Sequence, residues 1–369
     1  MRIVLTGGVT GGHIYPALAI ADKFRAEDPD SEFIYIGSGE PLERDIIPAH
    51  GYELITVDSD YFDRSRPIKM AKTALKTIKG RSQAVKIMKQ FKPDVVISTG
   101  SYVSVPVVLA AGKLGVPLYL HEQNGFPGVS NRLGARYAKT VFLGFESARE
   151  YFGKSRNIVY SGNPVRAEFS GRSRAADREK LGIPESDLVI MVFGGSLGSA
   201  TTNRIGEAVA REYADKDGYT VIWGTGKVYN ESIIRRLGHE GFRPGNVRIS
   251  AFIKNMPEIL SASDICISRS GALSTAETTM SGRAAIFIPS PNVTADHQYY
   301  NAKAIADAGG AVIVREEEDA DRTALRALGI VKELDTDRAE IRRMEEASLA
   351  TAPVGATQII YDEIMRTYR

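Results

Sequence analysis

A glycine-rich segment near the start of the chain ends on a histidine that could act as a base. Residues 7–13 read Gly-Gly-Val-Thr-Gly-Gly-His and follow the apolar run 3–6. Glycines let the backbone approach a ligand closely, and the N–H groups at a helix start attract anions. His13 lies where this loop becomes a helix, and its imidazole could accept a proton from an attacking hydroxyl. The alternative is a helix-start residue that only orders the loop.

A second polar segment, residues 121–128, also follows an apolar run. It begins with four consecutive hydrogen-bonding side chains, which are His121, Glu122, Gln123 and Asn124. Such a group would be costly inside a core. At the carboxyl end of a strand it suits a sugar or a diphosphate, and the alternative is a solvated turn. The glycine turn 99–102 follows another apolar run and predicts Tyr102 at the same rim.

The second half of the chain has its own glycine loop and polar helix starts. Residues 194–196 could cradle a diphosphate. Glu277 falls in the first turns of a predicted helix, where a carboxylate can bind both hydroxyls of a ribose. Gln298 and Asn301 lie on one helical face because they are three residues apart, and they could bind the hydroxyls and acetamido group of a sugar. For each of these residues the alternative is a polar helix start without a ligand.

The polar segments follow short apolar runs that alternate with stretches of helical periodicity, a pattern typical of buried parallel strands separated by helices. The predicted strands are residues 3–6, 33–36, 54–57, 94–98, 117–121, 140–143, 158–161, 188–193, 220–223, 247–251, 264–268, 284–289 and 311–314. The two series predict an α/β fold with two Rossmann-like, doubly wound parallel-sheet domains, residues 1–163 and 164–354. Ligands of such sheets bind beyond the carboxyl ends of the strands, so we expect the two domains to face a cleft that holds the active site. An amphipathic helix at 355–369 could pack back onto the first domain.

Length and composition restrict the class of protein. The chain has 369 residues, of which 43% are hydrophobic and 25% charged, which suits two globular domains and argues against disorder. We expect a cytoplasmic protein because the sequence has neither a secretory signal nor an apolar stretch of about 18 residues. Cys266, the single cysteine, lies in an apolar run and is expected to be a buried strand residue.

Cofactor chemistry is restricted as well. The first glycine loop does not follow the usual G-x-G-x-x-G spacing, and no acidic residue ends the second predicted strand, which argues against a nicotinamide enzyme. We expect no cofactor and no protein-held metal, although magnesium from solution could lie near a bound diphosphate.

Positive charge is concentrated in the first half of the chain. Residues 1–163 contain 21 Lys and Arg against 16 Asp and Glu, whereas the remainder contains 26 against 29. Residues 64–92 contain ten Lys and Arg and no acid. Apolar residues recur there at helical spacing, first as Ile68, Ala71, Leu75 and Ile78 and then as Val85, Met88 and Phe91. Lys69, Lys72, Lys76 and Lys79 follow the same spacing one residue later. Basic amphipathic helices bind anionic membrane surfaces, and the alternative is an ordinary lysine-rich surface helix. Nucleic acid is disfavoured because few aromatic residues interleave the charges.

Seven motifs together resemble the family of bacterial N-acetylglucosaminyltransferases that convert lipid I to lipid II, which are two-domain enzymes of the GT-B type. The motifs are residues 7–16, 100–103, 121–128, 162–166, 193–198, 268–277 and 297–301. The resemblance implies that the second domain binds UDP-N-acetylglucosamine and the first binds the lipid acceptor. The acceptor-side and catalytic residues it implies are Thr10, His13, Tyr102, Glu122 and Asn124. The donor-side residues it implies are Arg166, Ser196, Asn203, Phe252, Ile253, Glu277, Gln298 and Asn301, with Phe252 and Ile253 at the uracil.

By this resemblance the reaction is an inverting transfer of N-acetylglucosamine to lipid I, an undecaprenyl-linked muramoyl peptide, in peptidoglycan synthesis. His13 is the leading candidate for the base and Glu122 its rival, and the protein is expected as a peripheral protein on the cytoplasmic face of the membrane. Two positions depart from the family pattern. Val9 replaces a glycine and is expected to stiffen the first loop, and Leu197 replaces the usual Gln or Arg at a phosphate-side contact.

Three alternatives keep part of this interpretation. One is a UDP-N-acetylglucosamine 2-epimerase, which shares the two-domain plan and the donor. The second is a nucleotide-binding module without catalysis, which the polar residues in both predicted domains disfavour. The third is the same transfer to another glycolipid acceptor. The sequence does not indicate an oligomeric state.

Overall fold

Parallel strands alternate with helices along the whole chain. The computed structural model describes residues 1–61, 67–153, 157–195, 197–293 and 296–368, with the side chains of 67–69 left out. The strands in these ranges are β1 (Arg2–Thr6), β2 (Glu32–Gly37), β3 (Glu53–Thr56), β4 (Val95–Ser98), β5 (Leu118–Glu122), β6 (Ala138–Leu143), β7 (Ile158–Tyr160), β8 (Leu188–Phe193), β9 (Tyr219–Gly224), β10 (Val247–Ser250), β11 (Ile265–Ser268), β12 (Ala284–Phe287) and β13 (Ala311–Ile313). The helices are α1 (Gly11–Glu27), α2 (Pro41–Ala49), α3 (Pro67–Phe91), α4 (Val105–Leu114), α5 (Val129–Gly134), α6 (Arg174–Leu181), α7 (Ala200–Tyr213), α8 (Asn230–His239), α9 (Met256–Ala262), α10 (Ala272–Met280), α11 (His297–Asp307), α12 (Ala320–Thr336), α13 (Arg338–Ala350) and α14 (Ala356–Tyr368).

The strands form two separate parallel sheets, one in each of two units. The first unit comprises residues 1–166 and 353–369, and the second comprises residues 167–352. Strand order is β3-β2-β1-β4-β5-β6-β7 in the first sheet and β10-β9-β8-β11-β12-β13 in the second. In both sheets the order reverses beside the first strand of the unit, as in doubly wound folds that bind ligands at this reversal point. The predicted fold class of two Rossmann-like parallel-sheet domains is therefore confirmed, and each predicted strand is present to within two residues at either end.

The first sheet carries helices on both faces, which explains why its strands are apolar throughout. One face packs against α3, α4 and α5 around side chains such as Met88 and Val108. The other packs against α1, α2 and α14, where Ile360 and Ile364 join Ile3 and Phe24 in a single buried cluster. The last helix of the chain thus completes the core of the first unit. The units divide after Arg166, three residues beyond the predicted domain boundary.

The second sheet is built in the same way. Helices α7, α8, α12 and α13 pack around fully buried Trp223, and α11 packs on the other side against Phe287. Cys266 lies in the centre of this sheet with no exposed surface, and burial raises the pKa of its thiol to about 12. The prediction of a buried strand cysteine is confirmed.

Candidate functional site

The loop after β1 is packed so closely that a side chain at either of two glycines would displace a neighbouring side chain. A Cβ on Gly7 would lie 2.0 Å from the hydroxyl of Thr99, and one on Gly8 would lie 2.1 Å from the carboxylate of Glu43. Tyr35 also donates a hydrogen bond of 2.6 Å to the carbonyl of Gly7. These contacts bring the loops after β1, β2 and β4 together at the reversal point of the first sheet.

His13 is held by a reciprocal pair of hydrogen bonds to Thr99, which follows β4. The Nδ1 of His13 lies 2.9 Å from the carbonyl oxygen of Thr99, and the Thr99 hydroxyl donates to the carbonyl of His13 at 2.7 Å. A carbonyl can only accept, so Nδ1 carries the proton and the lone pair of the neutral ring lies on Nε2. His13 is only partly buried. Its ring is therefore held in the tautomer that a general base needs.

Val9 has a backbone conformation that valine rarely adopts. Its φ is 71°, in the left-handed region where a β-branched side chain is strained. Its amide donates a 3.0 Å hydrogen bond to Glu43, whose fully buried carboxylate also accepts from the amides of Ser38 and Gly39 at 2.8 Å. Glu43 thus anchors the loops after β1 and β2. Sequence analysis missed it because no local pattern distinguishes it from other acids in a first helical turn.

Glu122, at the end of β5, is enclosed by its own loop. The side chain is 1% exposed. One carboxylate oxygen accepts from the backbone and side-chain amides of Asn124 at 3.0 and 3.2 Å, and the other accepts from the Gly128 amide and Asn131 at 3.0 and 2.9 Å. All four lone pairs of the carboxylate have donors. This geometry suits a residue that fixes the loop 122–128 better than one that takes a proton from substrate.

His121 is neutral and structural. It has no exposed surface, its Nε2 lies 3.1 Å from the carbonyl of Gly162, and its Nδ1 lies 3.2 Å from the amide nitrogen of Gln123. Burial lowers the pKa of His121 to about 4, which the hydrogen bond to Gly162 offsets in part and the charge of His13 reinforces. Strands β1 and β5 both pair with β4, so the loops that follow them lie at the same edge of the sheet.

The remaining predicted residues of the first unit lie at the same carboxyl edge of its sheet. Thr10 is exposed immediately before α1. Tyr102 donates to Glu40 at 3.3 Å, and burial together with Glu40 raises the pKa of its phenol to about 12. Arg166, predicted on the donor side, belongs by its contacts to the first unit, where its guanidinium lies 5.4 Å from the ring centre of Tyr15 in α1.

In the second unit the loops after β8 and β9 touch backbone to backbone. A Cβ on Gly198 would lie 2.2 Å from the carbonyl of Thr225, and one on Gly226 would lie equally close to Gly198. Asn203 of α7 stabilises this junction, since it donates to Thr225 at 2.9 Å and accepts from the indole of Trp223 at 3.0 Å. Ser196 lies outside the described residues, and neighbouring Leu197 is 62% exposed.

The other donor-side predictions line the carboxyl edge of the second sheet. Gln298 accepts from the amide of Ser290 at 2.9 Å, and fully buried Asn301 donates to the carbonyl of Ser270 at 3.1 Å. Both side chains therefore fasten α11 to the loops after β12 and β11. Glu277 is almost buried within α10. After β10, Ile253 is buried and Phe252 is half exposed beneath the ammonium group of Lys227.

Arg269 is a second residue that sequence analysis did not select. Its side chain is 14% exposed and pairs with Glu316 at 2.6 Å. It also donates to the hydroxyl of Ser199 at 2.6 Å and to the carbonyl of Ile288 at 3.1 Å. One guanidinium thus ties together the loops that follow β8, β11, β12 and β13. The sequence did contain one signal for Arg269, since a charged residue directly after a buried strand lies at the edge of the sheet where ligands bind.

In the second half of the basic segment the predicted amphipathic pattern is present, but its apolar side packs on the core and is not available to a membrane. The side chain of Met88 is buried, and Val85 and Phe91 pack against the core of the first unit. In the first half, by contrast, Leu75 and Ile78 are 68% and 59% exposed, and the face toward the protein carries Thr73 and Thr77. Residues 64–66 and the side chains of Ile68 and Lys69 lie outside the described part.

Two acids that sequence analysis overlooked face this segment. Asp58 and Asp60 form an Asp-x-Asp pair after β3, and they lie 2.8 and 2.9 Å from Lys79 and Lys76. The described ranges contain no group of three or more His, Cys, Asp or Glu side chains able to hold a metal ion. The expectation of no protein-held metal stays a prediction. Within the same ranges no helix combines the length and apolarity that crossing a bilayer requires.

Similarity to known proteins extends over both units. Residues 3–143 match the model of the glycosyltransferase family 28 N-terminal domain, and residues 189–359 match that of the family 28 C-terminal domain. The chain is 39% identical to a UDP-N-acetylglucosamine–N-acetylmuramyl-(pentapeptide) pyrophosphoryl-undecaprenol N-acetylglucosamine transferase of Lactococcus lactis, covering 98% of each chain.

Solved structures show the same architecture. MurG of Acinetobacter baumannii superposes with a TM-score of 0.76 at 27% identity, covering 99% of each chain. A UDP-GlcNAc 2-epimerase of Neisseria meningitidis, solved with UDP-GlcNAc, gives a TM-score of 0.67 at 15% identity over the whole of both chains. The epimerase similarity reflects the shared fold alone.

Proposed function

Because this chain belongs to glycosyltransferase family 28, we propose that it transfers N-acetylglucosamine from UDP-N-acetylglucosamine to lipid I, forming lipid II for peptidoglycan synthesis. The observation that carries this proposal is the end-to-end similarity to transferases named for that donor and a lipid-linked muramyl pentapeptide acceptor. A resemblance of fold alone would not separate a transferase from an epimerase.

His13 is proposed as the general base. The acceptor hydroxyl gives its proton to Nε2 while its oxygen attacks the anomeric carbon, and the bond from that carbon to the diphosphate breaks with inversion. The hydrogen bond from Nδ1 to Thr99 supports this role, because it keeps the lone pair on the outer nitrogen and stabilises the imidazolium that forms. Glu122 is the weaker candidate because its carboxylate already accepts four hydrogen bonds. Thr10, Tyr102 and Asn124 are proposed to contact the acceptor.

Donor binding is proposed for the carboxyl edge of the second sheet. Glu277 would hold the ribose hydroxyls and Phe252 with Ile253 the uracil. Asn203, Gln298 and Asn301 are committed by their side-chain hydrogen bonds to neighbouring loops, so we assign them mainly to shaping the site. Backbone amides around Ser196 and the guanidinium of Arg166 are proposed to meet the departing diphosphate. No cofactor is proposed; magnesium from solution could supply additional charge neutralisation there.

Membrane attachment is proposed for the outer face of α3, on the cytoplasmic side. An ordinary surface helix buries its large apolar residues, whereas the first half of α3 buries Thr73 and Thr77 and exposes Leu75 and Ile78 among Lys72, Lys76 and Lys79. Thr73 and Thr77 have carbonyl partners in Tyr61 and Thr73, so their burial carries no unmet hydrogen bond. Gly80 allows the helix to approach closely, since a Cβ there would lie 1.9 Å from the carbonyl of Asp58. Apolar side chains framed by lysines suit an anionic lipid surface.

The decisive experiment measures UDP release and sugar products with and without lipid I. We expect rapid, lipid-dependent release of UDP and formation of a disaccharide-linked lipid. Rapid conversion of the donor to its C2 epimer in the absence of lipid would instead identify an epimerase. Equal rates with lipid I and with a glycolipid lacking the muramyl peptide would assign the same chemistry to a different acceptor.

A further inference from the structure

Glu316 is a partly buried acid among the loops proposed to bind the donor. It comes three residues after the end of β13, at the carboxyl edge of the second sheet, and its side chain is 19% exposed. An uncompensated carboxylate near a diphosphate would repel it, because like charges at short range disfavour each other. A role in donor binding therefore requires that the contacts of Glu316 neutralise its charge.

Both carboxylate oxygens of Glu316 have partners on other loops. Oε2 accepts from the guanidinium of Arg269 at 2.6 Å, and Oε1 accepts from the hydroxyl of buried Thr201 at 2.6 Å. Arg269 directly follows β11, and Thr201 lies in the first turn of α7, which follows β8. Strands β8 and β11 flank the reversal point of the sheet, where such folds bind their ligands. One neutralised carboxylate thus bridges the two sides of the reversal point.

Arg269 extends this bridge to the residue that caps α7. Its Nη2 and Nε donate to the hydroxyl of Ser199 at 2.6 and 3.2 Å, and the same hydroxyl accepts from the backbone amide of Thr202 at 3.4 Å. The first turn of α7 is therefore held at two points, at Ser199 through Arg269 and at Thr201 by Glu316 directly.

The glycine loop 194–198 rests on this same turn. A Cβ on Gly194 would lie 2.3 Å from the hydroxyl of Thr202 and 2.8 Å from the amide nitrogen of Ser199. A glycine-rich loop has few side chains to fix it, so its position depends on the helix start against which it packs. Backbone amides stabilise a diphosphate best when they are already held in place before it binds.

We infer that Glu316 is a positioning residue for the diphosphate of the donor. It holds the first turn of α7 in place, and thereby the glycine loop, without contacting the donor itself. The inference rests on the proposed donor site. Because the uracil and the ribose are assigned to other elements, the loop after β10 and α10, the contribution of Glu316 is confined to the phosphates.

The test is calorimetric titration of the full-length protein with UDP and with uridine, which lacks the phosphates. We expect Glu316→Ala to weaken UDP binding by about tenfold, as for the loss of charged hydrogen bonds, and to leave uridine binding nearly unchanged. Glu316→Gln should rescue UDP binding, because an amide can still accept from Arg269 and donate to the hydroxyl of Thr201.

Two further variants make the comparison independent of a folding defect in Glu316→Ala. Thr201→Val removes one of the two bonds at constant volume and should weaken UDP binding several-fold, again without affecting uridine. Glu317→Ala is the matched control, because Glu317 is the next residue, carries the same charge and is exposed. Its affinity for UDP should equal that of the wild type.

Equal weakening of UDP and uridine binding in Glu316→Ala would overturn the inference, since a general loss of structure affects both ligands. So would wild-type UDP affinity in Glu316→Ala and Thr201→Val, or a loss in Glu316→Gln as large as that in Glu316→Ala. Failure of the wild type to bind UDP has a different meaning, because it would overturn the proposed donor site itself and the inference with it.

Discussion

At the scale of single residues, the direction of hydrogen bonds separates the two candidate bases. His13 and Glu122 both follow strands of the first sheet, and residue type alone gives either one a plausible role. The His13 ring is oriented by Thr99 through Nδ1, whereas Glu122 has a donor at each of its four lone pairs. The His13 side chain is positioned for proton transfer, whereas the Glu122 carboxylate makes all its hydrogen bonds within its own loop and orders that loop.

His13→Asn tests the base while keeping the loop intact. The amide of Asn can replace Nδ1 as a donor to Thr99, but it cannot accept a proton at the position of Nε2. We expect kcat to fall by about 10²–10⁴-fold, the usual contribution of a general base, with the Kd for UDP little changed. Steady-state kinetics with lipid I and UDP titration measure the two quantities. Nearly normal turnover in His13→Asn would reduce His13 to a residue that orders the loop.

Glu122→Gln provides the comparison. The new amide group would point a donor at the donors of Gly128 or Asn131, so we expect a loss of about 1–3 kcal/mol in the free energy of unfolding as well as lower activity. Chemical unfolding followed by circular dichroism measures the stability. If this variant keeps wild-type stability but loses turnover, the base is Glu122.

Val9→Gly should stabilise the first loop. Strain at a β-branched residue with φ of 71° costs about 1–3 kcal/mol, and glycine gives back part of the gain through its freedom in the unfolded chain. We expect a net increase of about 1 kcal/mol in the free energy of unfolding. The matched control is Val228→Gly. Val228 is exposed and its φ lies outside the left-handed region, so this change should lower the free energy of unfolding slightly or leave it unchanged. A loss of stability in Val9→Gly would show that the side chain has packing that outweighs the strain.

At the scale of the element, α3 is one helix with two different surfaces. Its second half contributes Met88 to the core, and its first half turns Leu75 and Ile78 outward. Both halves carry exposed lysines, so net charge does not distinguish them. The two halves differ in their apolar residues, which are exposed between the lysines in the first half and packed on the core in the second.

Vesicle co-sedimentation across a salt series tests this difference. Replacing Lys72, Lys76 and Lys79 by Gln should weaken binding to anionic vesicles by about 1 kcal/mol per cation and flatten its salt dependence. The matched control replaces Lys86, Lys89 and Lys92, which removes the same charge from the second half of α3 and the residue that follows it, and should have a smaller effect.

The apolar contribution is tested separately. Leu75→Ser with Ile78→Ser should weaken binding in a way that added salt does not reproduce, because burial of apolar surface is not screened. UDP affinity should stay constant in all these variants, since the proposed donor residues belong mainly to the second unit. Equal vesicle binding by every variant and the wild type would return α3 to an ordinary surface helix.

At the scale of the whole molecule, the first unit is assembled from both ends of the chain. Helix α14 follows the last residue of the second unit and places Ile360 and Ile364 beside Phe24 and Ile3. Tyr119 of β5 is also bonded to Thr367 at 2.9 Å. The core of the first unit is therefore complete only when the final helix is in place.

Ile364→Ala should destabilise the protein by about 2–5 kcal/mol, the range for removing a fully buried aliphatic side chain. Ile359→Ala is the control on the same helix, because Ile359 is partly exposed and should cost clearly less. Chemical unfolding followed by circular dichroism compares the two. Similar losses in both variants would show that α14 is stabilised by its surface and not by the core.

The sequence by itself determined the order of strands and helices, the two-unit plan, the burial of Cys266 and the position of each polar loop at a strand end. These follow from local patterns, because strands covered on both faces must be apolar throughout and the residues after them must be polar or glycine. Only the tertiary structure decided which atoms these loops contact. The partner of His13 is 86 residues away, and the partners of Arg269 follow other strands of its sheet. In the first half of α3, hydrophobicity did not decide the inward face, since Thr73 and Thr77 are buried there and Leu75 and Ile78 are exposed. Contacts between distant segments leave no local signal, which is why Glu43 and Arg269 were missed and why the sequence left both candidate bases open.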